Sequence, residues 1–299
     1  MRGSPYTDLS RPPLQESALR RALTGPDQVW RQIEVVPETG STNADLAAAA
    51  RGGAEEGLVL IAENQTAGRG RLERHWLSPA RAGITLSVLL RPGLGVPPAR
   101  LGWLPLLAGV ALAQAVGRIA VVDAALKWPN DLLVRSSLAE VAPGDVSGYG
   151  KCGGVLAEAI AGSSSDEPVA IVLGMGLNVS QRAEELPPPP GATAIPATSL
   201  ALVGAAGTDR DPLVRGVLRA LDDWYDRWRS ADGDPLACGL LGAYRSRCVT
   251  LGQPVAVTLP GGEVLTGTAS DVDEVGRLMV ATPEGRLHTL AAGDVRHVR

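Results

Sequence analysis

The chain has 299 residues, 45% of them hydrophobic, and Lys+Arg 28 against Asp+Glu 32 leave a net charge of −4. That length suits one large domain or two unequal ones with a substantial core, and the charge balance excludes a globally basic nucleic-acid binder. Phe is absent and aromatics are only 3%, so the core must rest mainly on Leu, Val, Ala and Ile, and each of the six tryptophans needs its own reason.

In chain order, residues 1–27 are rich in Pro, Arg and Ser and are expected to form a poorly ordered extension, with a short helix over 14–23. Residues 29–37 read as a strand. Residues 41–51 read as a helix, entered through Ser41, Thr42 and Asn43 and left at Gly52-Gly53. A strand over 58–63 leads into a basic loop, and another covers 84–90. Residues 101–116 are apolar but fall short of the roughly 20 residues of a membrane span. Pro105, Gly109 and Gln114 also interrupt them, which predicts a buried core helix stopping at Gly117.

Residues 124–134 and 151–160 read as paired strands around an insertion, 136–150, expected to be a mobile loop. An apolar strand over 169–173 opens into Gly174-Met175-Gly176-Leu177-Asn178, and prolines 187–190 form a stiff connector. Residues 211–229 form an amphipathic helix with Leu213, Val217, Leu221 and Trp224 on one face. From about residue 246, short strands at 255–259, 264–269, 277–281 and 286–290 alternate with Gly and Pro turns, which predicts a small β barrel.

Cys152, Cys238 and Cys248 make an odd, widely spaced set with no CxxC pair, so a reduced, cytoplasmic protein is expected. The N-terminus has no apolar signal core. His75, His288 and His297 have no metal-ligand spacing, so no protein-held metal is expected.

Four further stretches carry chemistry. Asn64–Trp76 contains Gly68, Arg69, Gly70, Arg71, Arg74 and Trp76. Glycines allow tight turns and close approach, and guanidinium forks suit phosphate and carboxylate, so this loop reads as an anion enclosure. Lys127-Trp128-Pro129-Asn130-Asp131 gathers a cation, an indole, an amide and a carboxylate in five residues. Lys151 enters a strand beside Gly153 and Gly154, where a ligand can lie against bare backbone. The run from Gly174 to Asn178 lacks the third glycine of a dinucleotide fingerprint, and no Walker loop is present.

Taken in order with Ser41-Thr42-Asn43, these motifs closely resemble those of the biotin protein ligases, over residues 30–299. The resemblance implies an α+β fold, a mixed β-sheet flanked by helices as in class II tRNA synthetases, with a small C-terminal SH3-like β barrel. The implied division is an extension over 1–27, a catalytic domain over 28–245 and the small domain over 246–299. The implied substrates are biotin and ATP, which form biotinyl-5′-AMP. A lysine of the biotin carrier domain of an acyl-CoA carboxylase then takes the biotin.

The resemblance also implies roles. Lys151 touches the biotin carboxylate and the α-phosphate. Arg69 and Arg71 close over the adenylate, with Gly68 and Gly70 as hinges and Arg74 on the nucleotide side. Ser41, Thr42, Asn43 and Gln65 take the ureido ring, beside Gly153 and Gly154. Trp76 and Asn178 meet adenine. Lys127, Asn130 and Asp131 arrange phosphate and the incoming amine, with Asp131 helping that amine lose its proton. Mg2+ is expected with ATP and without a dedicated protein site. Fewer than thirty residues precede the first core strand, so no DNA-binding domain and no DNA partner are expected, nor a membrane. Monomer and homodimer stay open. The competing readings are a lipoate–protein ligase and a non-catalytic biotin-binding regulator.

Overall fold

A computed structural model describes residues 10–71, 74–136, 146–161, 169–189, 194–259 and 262–297. The Val-, Leu- and Ile-rich runs become seven strands: β1 (Gln32–Val36), β2 (Leu58–Ala62), β3 (Gly83–Leu90), β4 (Asp123–Lys127), β5 (Asp131–Arg135), β6 (Gly150–Ile160) and β7 (Ala170–Asn178). They form one sheet in the order β1-β2-β3-β7-β6-β5-β4. β1 and β2 run parallel and every other neighbouring pair in this sheet is antiparallel, so the sheet is mixed.

One face of the sheet carries the main core. The helices α1 (Glu16–Leu23), α2 (Thr42–Arg51), α3 (Leu104–Ala120), α4 (Arg210–Ser230) and α5 (Leu240–Arg245) flank it. α3 is apolar almost all round because it lies between the sheet and α4. The helical run 98–120 is the one stretch among the described residues long and apolar enough to cross a membrane, and it is mostly buried in the protein. α4 turns Leu213, Val217, Leu221 and Trp224 inward, as its 3.6-residue period demands.

The other face is covered only at one end. There α2 packs Leu46, Ala47 and Ala50 on Leu60, Leu89, Val172 and Ile160. The uncovered remainder is the floor of a cleft, and the N-terminus of α2 points along it.

Several expectations need correction. The helix expected to stop at Gly117 runs on to Ala120 and ends at Val121, whose φ of 55° is the left-handed conformation that glycine more often supplies. The strand expected over 124–134 is a hairpin, β4 and β5, because Pro129, which has no N–H to offer a neighbouring strand, sits in the turn between them. The glycines at 174 and 176 lie within β7 and do not form a loop after it. From Ser10 onward the expected poorly ordered extension is packed: Leu19 and Leu23 are fully buried against α4 and β1. It is also held by polar contacts, since Glu63 accepts from Leu14 N (2.6 Å) and from Arg210 Nη1 (2.5 Å). Much of the 136–150 insertion lies outside the described residues.

The C-terminal strands β8 (Pro254–Thr258), β9 (Val264–Val272), β10 (Leu278–Ala281), β11 (Leu287–Leu290) and β12 (Asp294–His297) form an antiparallel sheet in the order β11-β10-β9-β8-β12. This five-stranded antiparallel sheet is the small C-terminal β domain expected, and among the described residues its end strands are not hydrogen-bonded to each other. Two tryptophans tie it to the larger sheet. Trp103 Nε1 donates to Glu274 O (2.9 Å) and Trp128 Nε1 to Gly276 O (3.2 Å). This docking brings β12 to the mouth of the cleft.

Candidate active site

Cross-strand partners share a face of a sheet. Thr85, Gly176, Gly154 and Asp131 are successive partners across β3, β7, β6 and β5, and Lys127 continues the row on β4. Ser87, Gly174 and Leu156 form the next row on the same face. The glycines leave a trough that other elements fill. A Cβ on Gly176 would overlap the Trp76 indole, and one on Gly174 would overlap the Asn43 amide. Gly176→Ala therefore has a definite expected outcome. It should push Trp76 off the floor and destabilise the fold by about 1–3 kcal/mol, the usual cost of overpacking, measurable by denaturant melts.

Lys151 reaches this face through an irregularity. The register steps from Leu132↔Gly153 to Leu133↔Lys151, leaving Cys152 as an extra residue on β6. An extra residue reverses the in–out alternation, so Lys151 joins Asp131 on the cleft side while Cys152 is driven into the core. There the Cys152 thiol donates to Asn178 O (3.1 Å), and burial pushes its pKa far up, as suits an inert core thiol. Lys151 Nζ lies 2.6 Å from Asp131 Oδ1, and Lys127 Nζ lies 4.0 Å from Oδ2. One carboxylate thus holds two ammonium groups at the centre of the cleft. Burial lowers the Lys127 pKa, while Asp131 and Asp294 oppose that shift.

The polar end of the cleft is the first turn of α2. Ser41 is its N-cap, accepting from Ala44 N. Thr42 N donates to Gln65 Oε1 (2.8 Å), Thr42 Oγ1 is 2.7 Å from Ser87 Oγ, and Asn43 Nδ2 donates to Glu158 Oε1 (2.8 Å). Asn178 is buried, with its Nδ2 donating to Thr198 O (2.9 Å).

The basic loop closes on itself. Arg69 bridges to His75, Trp76 N donates to Gly68 O (2.9 Å), and Gly70 N donates to Arg74 O (2.6 Å). Neither Gly68 nor Gly70 takes a left-handed φ. Gly68 is needed for space instead, since a Cβ there would overlap the Trp76 carbonyl and crowd the Gln65 amide. Arg71 Nη1 donates to Asn130 Oδ1 (3.2 Å), joining the loop to the β4–β5 turn. Arg74 pairs with Asp294 of β12 (2.7 Å), joining it to the C-terminal sheet.

These elements enclose a cavity of about 530 Å3, within the usual range for small-molecule sites. Ser41, Thr42, Asn43, Gln65, Arg69, Gly70, Arg71, Arg74, Trp76, Lys127, Asn130, Asp131, Lys151, Gly154 and Asn178 all line it. Two expected residues do not. Gly68 lies behind Trp76, and Gly153 faces the opposite side of the sheet with Leu132. Sequence reading missed Thr85, Gly174, Gly176, Pro187–Pro189 and the β12 residues Asp294 and His297, which also line the cavity. The i, i+2 glycine spacing of β7 was a usable signal, whereas nothing local to β12 announces that it docks here.

His297 has its pKa lowered to about 4, by burial and by the charge of Lys127. The unfolded chain therefore binds more protons between the ordinary histidine value of about 6.5 and about 4. The stability conferred by neutral His297 is complete above that window and falls as pH drops through it. His297→Gln should flatten the acid side of a Tm-against-pH curve.

Among the described residues, no three His, Cys, Asp or Glu side chains are grouped to hold a metal. Comparison with known proteins agrees with the geometry. Residues 36–178 match the biotin/lipoate A/B protein ligase family, and residues 250–298 match the biotin protein ligase C-terminal domain. The biotin–[acetyl-CoA-carboxylase] ligase of Mycobacterium tuberculosis is 44% identical over 296 residues, 98% of each chain. The bifunctional ligase/repressor BirA of Bacillus spizizenii is 30% identical over 84% of this chain and 69% of its own. The biotin protein ligase of Aquifex aeolicus in complex with biotin and ATP superposes with a TM-score of 0.68 at 26% identity, over 90% of this chain and 100% of that one. A lysine re-aimed by a strand irregularity, an arginine loop closed over it and a polar helix entrance in one trough thus occur in a chain that belongs to the biotin protein ligase family.

Proposed function

We propose that this protein ligates biotin to a specific lysine of a carboxylase biotin carrier domain, at the expense of ATP. The carrying observation is the meeting, in one cavity, of a cationic centre (Lys151, Lys127, Arg71) with a neutral hydrogen-bonding pocket at the entrance of α2. The neutral pocket suits an uncharged ureido ring, and the cationic centre suits a carboxylate meeting a phosphate.

In the first step a biotin carboxylate oxygen bonds to the α-phosphorus and the bond to pyrophosphate breaks. Lys151 leaves Asp131 for the oxygens that gather charge, a stabilisation strongest in the transition state. Lys127 and Arg71 neutralise the phosphates, and Arg69 and Arg74 flank them. Asn130, held by Arg71 and donating to Val155 O (3.1 Å), keeps the β4–β5 turn in place. In the second step the carrier lysine's amine bonds to the acyl carbon, AMP departs, and Asp131 receives the amine's proton. Trp76 and Asn178 shape the wall along which the adenylate lies. Mg2+ would enter with ATP as part of the substrate and would offset the phosphate charge. The enzyme works in the cytoplasm.

The test combines purified protein, ATP, magnesium, biotin and an isolated carrier domain. Mass spectrometry should show one added biotin on one lysine. Absence of transfer, or equal transfer of lipoate, overturns the reading.

A further inference from the structure

We infer that Glu158 fixes the hydrogen-bond polarity of the ureido pocket from behind, so that Thr42 Oγ1 faces the ligand as an acceptor. The inference rests on the biotin reading above and adds to it a positioning residue that lies outside the cavity lining.

Glu158 stands on β6, on the cleft face in the same alternation as Gly154 and Leu156. An ionised carboxylate only accepts hydrogen bonds. The Asn43 amide must therefore turn its Nδ2 toward Glu158 (2.8 Å), and the Leu156 carbonyl on the same side (3.4 Å) also only accepts. Asn43 lies against the bare backbone of Gly174, so it has no room to swing aside, and a flip about its own axis is the only alternative. With Nδ2 committed, Oδ1 faces Ser87, and Ser87 Oγ must donate to it (2.6 Å). A hydroxyl has one proton. The 2.7 Å contact between Thr42 Oγ1 and Ser87 Oγ is then supplied by Thr42. No proton remains for the longer approach of Thr42 Oγ1 to Gln65 Oε1 (3.1 Å). Thr42 is left with lone pairs toward the cavity and nothing to donate. Such a site welcomes a ring N–H and opposes a ring oxygen, whose lone pairs would meet those of Thr42. Chains of this kind strengthen each link by polarisation, so the direction set at Glu158 persists to Thr42.

The test measures steady-state kinetics with biotin and with the two carbamate analogues in which one ureido N–H is replaced by ring oxygen. Glu158→Leu removes the stronger of the two acceptors on Nδ2 and leaves only the Leu156 carbonyl at 3.4 Å, so Asn43 samples both orientations and the chain loses its fixed direction. Biotin KM should rise about tenfold, the worth of one hydrogen bond, with kcat and the KM for ATP nearly constant. Preference for biotin over the analogue lacking the N–H that faces Thr42 should fall by a similar factor. Glu158→Gln should restore both, because Gln Oε1 can still accept from Asn43. Ser87→Ala cuts the same chain without touching Glu158 and frees the Thr42 proton for Gln65 Oε1 (3.1 Å) or for the ligand, so preference should fall in the same direction by no more than in Glu158→Leu. The double variant should be no worse than either single one. If Glu158→Leu fails to fold, Glu158→Ala takes its place in the same comparison with Glu158→Gln.

Unchanged KM and unchanged preference in the variants overturn the inference. So does equal damage from Glu158→Gln and Glu158→Leu, or additive effects of Glu158→Leu and Ser87→Ala. Calorimetry with biotin alone separates the two levels. Failure of the unmodified protein to bind biotin removes the ligase reading itself, whereas equal binding by all forms removes only the role of Glu158.

Discussion

Lys151→Ala is expected to slow adenylate formation by about 10³-fold or more, read as pyrophosphate release in a single turnover. Removing one preorganised donor at a developing charge commonly costs 10²–10³ in rate, and Lys151 supplies a full charge on a half-buried side chain. The loss should fall on kcat, with biotin binding only modestly weakened, because the neutral pocket at the entrance of α2, where we propose the ureido ring binds, lies elsewhere. A complication is that the variant leaves Asp131 without its 2.6 Å partner, with Lys127 4.0 Å away. An uncovered carboxylate would repel both the biotin carboxylate and the phosphate. Lys151→Ala combined with Asp131→Asn separates these causes. If the ammonium acts directly on the reacting oxygens, the double variant stays slow. Recovery to within tenfold of the unmodified protein would mean that Lys151 serves chiefly to mask Asp131.

The site was legible in the sequence wherever chemistry and address coincide. Arg71, Lys127, Asp131 and Lys151 stand out by type and spacing, and all of them line the cavity. The glycines were harder. Gly68 and Gly70 suggest hinges, yet neither takes a left-handed φ, and Gly68 is required because Trp76 and Gln65 crowd it. Gly153 and Gly154 look equivalent as neighbours, but strand alternation sends only Gly154 to the cleft. The position of Lys151 depends on the irregularity at Cys152, which exists only in the pairing of β6 with β5. The β12 contribution depends on two indole hydrogen bonds far from it in sequence. Pattern within a strand predicts its faces, whereas what crosses those faces is set by tertiary contact.

Arg71→Gly should free the adenylate from the cavity, so that released mixed anhydride labels bystander lysines. Arg71 is half-buried and bound to Asn130 at 3.2 Å, so it closes the loop across the end of the cleft where we propose the phosphate lies. Burial lowers its pKa from the usual arginine value, but guanidinium stays charged at neutrality. A charge-assisted hydrogen bond is worth about 1.5–3 kcal/mol, which converts to a roughly 10- to 100-fold faster escape. Escape can be timed by forming the adenylate with labelled biotin, chasing with unlabelled biotin and following the protein-bound label. Labelling of an added inert protein should rise in parallel, while adenylate formation, for which we propose Lys151 as the main cation, falls far less. Arg71→Ala distinguishes the two consequences of the substitution. Glycine also loosens the backbone, so if alanine retains adenylate as the unmodified protein does, loop freedom is the cause and the guanidinium is not the closing contact. Equal leakage from both variants assigns retention to the arginine, and unchanged escape from both removes it from that role.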